Sequence, residues 1–412
     1  MAKAGEMIAG LQADAAGRAQ PRPLAESIRE TFDLYLAEGT ESSSASVGMV
    51  DAGPAVLAAA WDEHPASAGF DAEGIFFEWL DRAPAAPGLL SAFAGAGALL
   101  HGLGSASWRC PALRPFHERV RQGLLDAIEP GGLWSNPAAD WQDYDLVFGP
   151  AGLMLVLCAD ADADPSALAP LASHLIALLA SREMESFRLP DSIRDERRRW
   201  NARHINLGLA HGVPGPIAAL TAYIRRGGAF AEPAARAIAQ AGTWLIEQAH
   251  EDELGLLTWG PRRPDGSGGP LKASRREAWC YGAPATAWVL WDAGQAVSDE
   301  RLRSAGAEAF ERYEKAFDPE FHLTGDPREQ LAVCHGAAGI LQIADGFERH
   351  CGLTAAARLA ARLEEYLHAR LAEVTRIAAS DSSLQSGAMG ILATLLTRAG
   401  GDRRWLPLLA LR

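Results

Sequence analysis

The sequence predicts an all-α protein, an α/α toroid with a double ring of about seven inner and seven outer helices. Three observations carry this expectation. A glycine, or a small stand-in, starts a short motif that recurs seven times and opens an apolar run each time. The starts lie 41, 55, 63, 70, 54 and 51 residues apart, a spacing that suits one helix pair per repeat. Between the apolar runs lie amphipathic, charged segments, so each repeat offers one helix to bury and one to face water.

The chain begins as helix, breaks at Pro21–Pro23, and resumes as helix from Leu24 to Ala37. Ser42–Ser46 reads as a polar linker, so residues 1–45 precede the repeats. The starts are Gly53-Pro-Ala-Val56, Ala94-Gly-Ala-Gly97, Gly149-Pro-Ala-Gly152, Gly212-Val-Pro-Gly215, Gly282-Ala-Pro-Ala285, Gly336-Ala-Ala-Gly339 and Gly387-Ala-Met-Gly390. Small residues there suit inner helices that converge on an axis, and an early proline suits a first helical turn. Runs such as Gly152–Cys158 and Ile340–Ala344 are apolar all round and should be inner helices. Arg114–Ile128, with Phe116, Val120, Leu124 and Ile128 in step, and Ala355–Val374, with Leu359, Leu363, Tyr366 and Leu371, should be outer ones. Two irregular inserts, 189–204 (arginine-rich, with Trp200) and 255–274 (a turn-rich loop or hairpin), lead toward one rim of the ring. Residues 1–412 are expected to form a single domain.

Composition narrows the function. With 52 acidic and 38 basic residues the net charge is −14, which disfavours nucleic acid or an anionic membrane as a partner. Apolar runs such as Ala151–Ala159 are too short for a membrane span, and Met1–Gly10 lacks the apolar core of a secretory signal. Five cysteines, an odd and sparse set, fit a reducing cytoplasm.

Two of those cysteines stand out by register. Cys280 in Trp279-Cys280-Tyr281-Gly282 lies two residues before a repeat glycine, and so does Cys334 in Cys334-His335-Gly336. Equivalent positions in stacked repeats meet at the same end of a ring. Two thiolates and an imidazole are the donors of a tetrahedral zinc site with one open position, so Cys280, Cys334 and His335 are the candidate ligands. Cys110, Cys158 and Cys351 occupy other registers and read as core residues. His211, directly before Gly212, and Asp145, four before Gly149, should face the same cavity. Arg276 lies four before Cys280, which Trp279 and Tyr281 flank. His101 and His204 are less well placed and read as structural.

These motifs, with the sevenfold glycine pattern, resemble the lanthionine synthetase C-like family over about residues 45–400. The resemblance implies a zinc-dependent lanthipeptide cyclase, in which the thiolate of a peptide cysteine adds to dehydroalanine or dehydrobutyrine to form a thioether ring. It implies Cys280, Cys334 and His335 as zinc ligands, and His211, Asp145 and Arg276 as the catalytic set. Trp279 and Tyr281 are expected to contact substrate. The expected partner is a dehydrated precursor peptide, with a separate dehydratase and an exporter. The chain starts close to its first repeat, as a stand-alone cyclase would. Ala94, Ala285 and Val56 depart from the small-residue pattern and concern packing. The same site would serve a relative that adds glutathione or another external thiol to dehydroamino acids, or a non-catalytic zinc or peptide-binding scaffold. A metal-free glycosidase would instead need a second acid beside Asp145, for which Asp143 is the candidate.

Overall fold

A computed structural model describes residues 22–37, 50–83, 91–128, 141–188, 205–259 and 273–412. Helix α1 (Leu24–Ala37) comes first, followed by alternating inner and outer helices. These pairs are α2 (Gly53–Asp62) and α3 (Ala72–Asp81), α4 (Ala96–Ser107) and α5 (Arg114–Ala127), and α6 (Pro150–Ala159) and α7 (Ala169–Leu179). Next come α8 (Pro214–Arg225) and α9 (Ala231–Gln248), then α10 (Ala283–Val297) and α11 (Glu300–Ala316). Short helices α12 (Pro319–His322) and α13 (Pro327–Leu331) lead to inner α14 (Ala337–Cys351), outer α15 (Thr354–His368), α16 (Leu371–Ala378) and inner α17 (Ala388–Arg398).

The fold is an α/α toroid. Each inner helix packs on the next, and α17 packs back on α2, so the seven inner helices close a ring. Their starts follow the chemistry of a first turn, where proline loses no helical hydrogen bond; α2, α6, α8 and α10 all carry one there. Helix α6 is buried from Pro150 to Cys158, as an element apolar all round must be.

The second glycine of a repeat has a closer reason than crowding at the axis. A Cβ on Gly152, Gly339 or Gly390 would overlap the carbonyl oxygen of Leu146, Val333 or Leu384 respectively. Each is six residues back, so the missing side chain lets the loop lie against the first turn of its own helix. Those loops carry the candidate site.

Three features differ from the expected pattern. Helix α17 closes the inner ring at the C-terminal end of the chain, and α1 from the N-terminal end packs on α16 and α17 where an outer helix is needed. The stretch 355–374 divides into α15 and α16, with a break at Ala369 and Arg370. In α5 the buried face runs through His117 and Leu124, and Phe116 is 42% exposed because it sits a step round the helix. The only described strands are β1 (His250–Glu251) and β2 (Leu257–Thr258), an antiparallel pair with His250 opposite Thr258, at the start of the second insert. The first insert, 189–204 with Trp200 and His204, lies outside the described residues, as do the linker Ser42–Ser46 and positions 260–272.

The middle of the ring is filled by the chain's own end. Leu406–Leu409 packs against α6, while the indoles of Trp279 and Trp288 donate to the carbonyls of Leu409 and Ala410. Helices α6 and α10 are separated in the ring by α8, so a segment touching both sides lies inside it. No described helix is long and apolar enough to cross a membrane.

Candidate metal centre

A belt of backbone hydrogen bonds sets the register in which the site is built. It joins the loops that precede successive inner helices. Ala92 N–H donates to Val147 O at 3.2 Å, Leu146 to Ala210 at 3.0 Å, and Ala210 to Cys280 at 3.2 Å. Cys280 then donates to Cys334 at 3.2 Å and Cys334 to Gln385 at 2.9 Å. Asp51 joins the last loop to the first, its Oδ1 accepting from Gly53 at 2.7 Å and from Leu384 at 2.8 Å, and Gly95 N–H closes the circle by donating to Val50 O at 3.1 Å. Residues two before a repeat start are thus neighbours in space, whatever their separation in sequence.

Cys280 and Cys334 meet on that belt. Their Sγ atoms and a ring nitrogen of His335 all lie within 4.8 Å of one another, and Cys280 Sγ is 2.9 Å from His335 Nδ1. Both cysteines are buried. Burial works against ionising Cys280, yet hydrogen bonds from Cys334 and His335 overcome it and hold that thiol well below its ordinary range. The bond to Cys280, with burial, pushes the Cys334 thiol up. A pocket that favours a thiolate beside a second sulfur and an imidazole suits a soft divalent cation, and the donor set fits zinc. In a second cluster, His117, Asp160 and Asp162, the carboxylate charge already has a partner within the protein. The Arg121 guanidinium already lies 3.4 and 3.5 Å from its two carboxylates.

His211 and Asp145 form a tight pair on neighbouring loops, with Nδ1 2.5 Å from Oδ2. The other oxygen of Asp145 accepts the N–H groups of Val147 at 2.6 Å and Phe148 at 2.7 Å, so a fully buried carboxylate is held by three partners. Burial raises its pKa despite them. For His211 burial pulls the other way, but the hydrogen bond and charge of Asp145 outweigh it and favour the imidazolium. With both oxygens engaged inside the protein, Asp145 is poorly placed to be one of two paired glycosidase carboxylates.

Tyr281 and Phe148 flank the imidazole, their ring centroids 6.2 and 6.4 Å from it, and Phe148 lies nearly parallel to it. Asn206 Nδ2 donates to the Tyr281 hydroxyl at 3.0 Å, and burial pushes that phenol up to about 12. Arg276 lies on the rim, with a 67% exposed side chain 3.6 Å from Glu329 of α13. Trp279 corrects an expectation. It is 0% exposed, with its ring in a T-shaped contact with Phe93 and its N–H on Leu409 O, so it builds the wall of the site and offers a peptide no surface. His101 is buried in α4, in keeping with a structural part.

Sequence reasoning missed Phe148 and Asn206. Phe148 had a signal, since it precedes Gly149 as His211 precedes Gly212. Asn206 had none, because its role depends on where the Tyr281 ring comes to rest.

The family model described as "Lanthionine synthetase C-like protein" matches residues 112–410. No curated protein sequence matches the chain. Among solved structures, nisin cyclase is similar in fold, with a TM-score of 0.73 and 16% sequence identity over 93% of this chain and 96% of that one.

Proposed function

The chain belongs to the lanthionine synthetase C-like family, and from that premise we propose that it is a zinc-dependent lanthipeptide cyclase acting on a dehydrated precursor peptide. The observation that carries the reading is the meeting of Cys280, Cys334 and His335 within 4.8 Å, on the same belt as the His211–Asp145 pair. A zinc ion held by those three residues would supply Lewis acidity that keeps a substrate thiol deprotonated near neutral pH.

The remaining steps use the chain's own groups. The substrate thiolate adds to the β-carbon of dehydroalanine or dehydrobutyrine, and the C–S bond forms as the π electrons move toward the α-carbon and its carbonyl. The enolate so formed takes a proton at the α-carbon from His211. Nδ1 of that ring is engaged by Asp145, so Nε2 is the atom on which the transferred proton rides. Asp145 fixes the tautomer and supports the imidazolium. The proton lost by the thiol balances the one delivered to carbon, so no further reactant is needed.

Arg276, at the rim, can exchange its long contact with Glu329 for a peptide carbonyl or the developing oxyanion. Tyr281 is the aromatic contact beside the reacting residue, and Trp279 holds the loop behind it. The test is His211→Ala: zinc content should stay at one equivalent while thioether formation is lost. Full activity in that variant would leave a cyclase without its acid and refute the assignment. Ring closure without added small thiol separates this reading from external-thiol addition.

A further inference from the structure

We propose that Glu277 is a positioning residue for the metal centre, its buried carboxyl clasping the two ends of the turn that carries Cys280. The inference rests on reading Cys280 as a ligand. Oε2 accepts the N–H of Ala283, the first residue of α10, at 2.5 Å. Oε1 accepts the Thr258 hydroxyl of β2 at 3.0 Å, and the Glu277 carbonyl accepts the Tyr313 hydroxyl of α11 at 3.1 Å.

The side chain therefore ties the entry of the turn to its exit and to β2, and the backbone carbonyl of the same residue adds a tie to α11. Inside the turn, Ala278 N–H donates to Tyr281 O at 2.8 Å, and Cys280 N–H reaches Cys334 O. Gly282 shows how closely the clasp is drawn. Its φ is +96°, and a Cβ there would overlap Glu277 Oε2. Only glycine allows both that backbone and the carboxyl beside it.

The clasp has no need of charge. Glu277 is 2% exposed, and burial pushes its pKa up to about 8 although both side-chain hydrogen bonds oppose the shift. Glutamine can reproduce the neutral acid, with its oxygen on Ala283 N–H and its amide N–H on Thr258 Oγ1. Alanine leaves the Ala283 N–H and the Thr258 hydroxyl without their partner, and the Cys280 turn free to shift. Groups that orient metal ligands from behind typically change metal affinity by about 10- to 100-fold when removed.

The experiment measures zinc release from purified holoprotein to a chromophoric chelator, together with the thiolate-to-cobalt absorption of the cobalt-substituted protein. Glu277→Ala should release zinc at least about tenfold faster and show a shifted cobalt band, while Glu277→Gln should stay within a few-fold of wild type in both. A clasp that served only the fold would lower the melting temperature without moving the cobalt band. Wild-type release and an unmoved band in Glu277→Ala overturn the proposal. Should that variant fail to fold, Glu277→Asp carries the test, since its shorter carboxyl cannot span to Ala283, and wild-type behaviour there is equally fatal. Absence of zinc from the wild-type protein would sink the metal-centre reading itself, and this inference with it.

Discussion

Replacing Asp145 by asparagine interrogates the His211 pair with little disturbance around it. The Asn carbonyl oxygen can keep the N–H groups of Val147 and Phe148, now at 2.6 and 2.7 Å from Oδ1. The amide nitrogen then stands where Oδ2 stood, 2.5 Å from His211 Nδ1, and presents a donor where an acceptor was. An imidazolium carries N–H on both nitrogens and would meet that amide donor to donor, so the ring stays neutral with Nδ1 accepting. A proton on Nε2 of a neutral imidazole is of no use as an acid near pH 7. General acid catalysis is worth typically 10²- to 10⁴-fold, so ring closure should slow by about 10³-fold, or about 4 kcal/mol of barrier. In the wild type, Asp145 holds His211 above its ordinary pKa against the effect of burial. The acid form is complete below that pKa and is lost as pH rises through it, so this limb of the rate profile should move to lower pH in the variant. Ring closure in a dehydrated peptide with one cysteine, scored by alkylation of the remaining thiol and mass spectrometry, gives both numbers. A variant within a few-fold of wild type, with the same limb, would refute the acid role.

Gly339→Ala drives a methyl group into the Val333 carbonyl, next to Cys334. It should cost about 1–3 kcal/mol in urea unfolding and reduce bound zinc, since the loop that must yield carries a ligand. His101 is buried in α4, and burial lowers its pKa to about 4 against the opposing charge of Asp402. Its stabilising share is therefore whole above the unfolded value of about 6.5 and drains away as pH falls toward 4, a loss of about 3 kcal/mol from 1.36 kcal/mol per unit. His101→Gln should flatten the stability curve across that window; an unchanged slope would exclude His101 as its source. Removing zinc with a chelator should abolish thioether formation, and restoring it should return activity in the wild type while His211→Ala stays inactive.

The ring was legible because the repeat is written in glycines, and those glycines have local causes. Gly152, Gly339 and Gly390 each make room for a loop carbonyl six residues back, so the pattern survives wherever such a loop precedes an inner helix. The same register exposed the site: the belt makes neighbours of positions two before each start, so Cys280 and Cys334 are adjacent although 54 residues separate them. What stayed hidden depends on contacts that no local pattern records. Helix α1 takes an outer position against α16 and α17, elements more than 300 residues away in the chain. The tail from Trp405 to Leu411 is apolar like any helix segment, and only the closed ring shows that it fills the axis and takes up the Trp279 N–H. That is why Trp279, an aromatic beside a ligand, read as a substrate contact and proved to be part of the wall.

X-ray absorption at the zinc edge of the purified protein tests the ligand set most directly. The expected result is one zinc per chain with two sulfur neighbours at about 2.3 Å and nitrogen or oxygen neighbours at about 2.0 Å, and loss of the ion in Cys280→Ala. Zinc without sulfur neighbours, or full zinc content in Cys280→Ala, would contradict it.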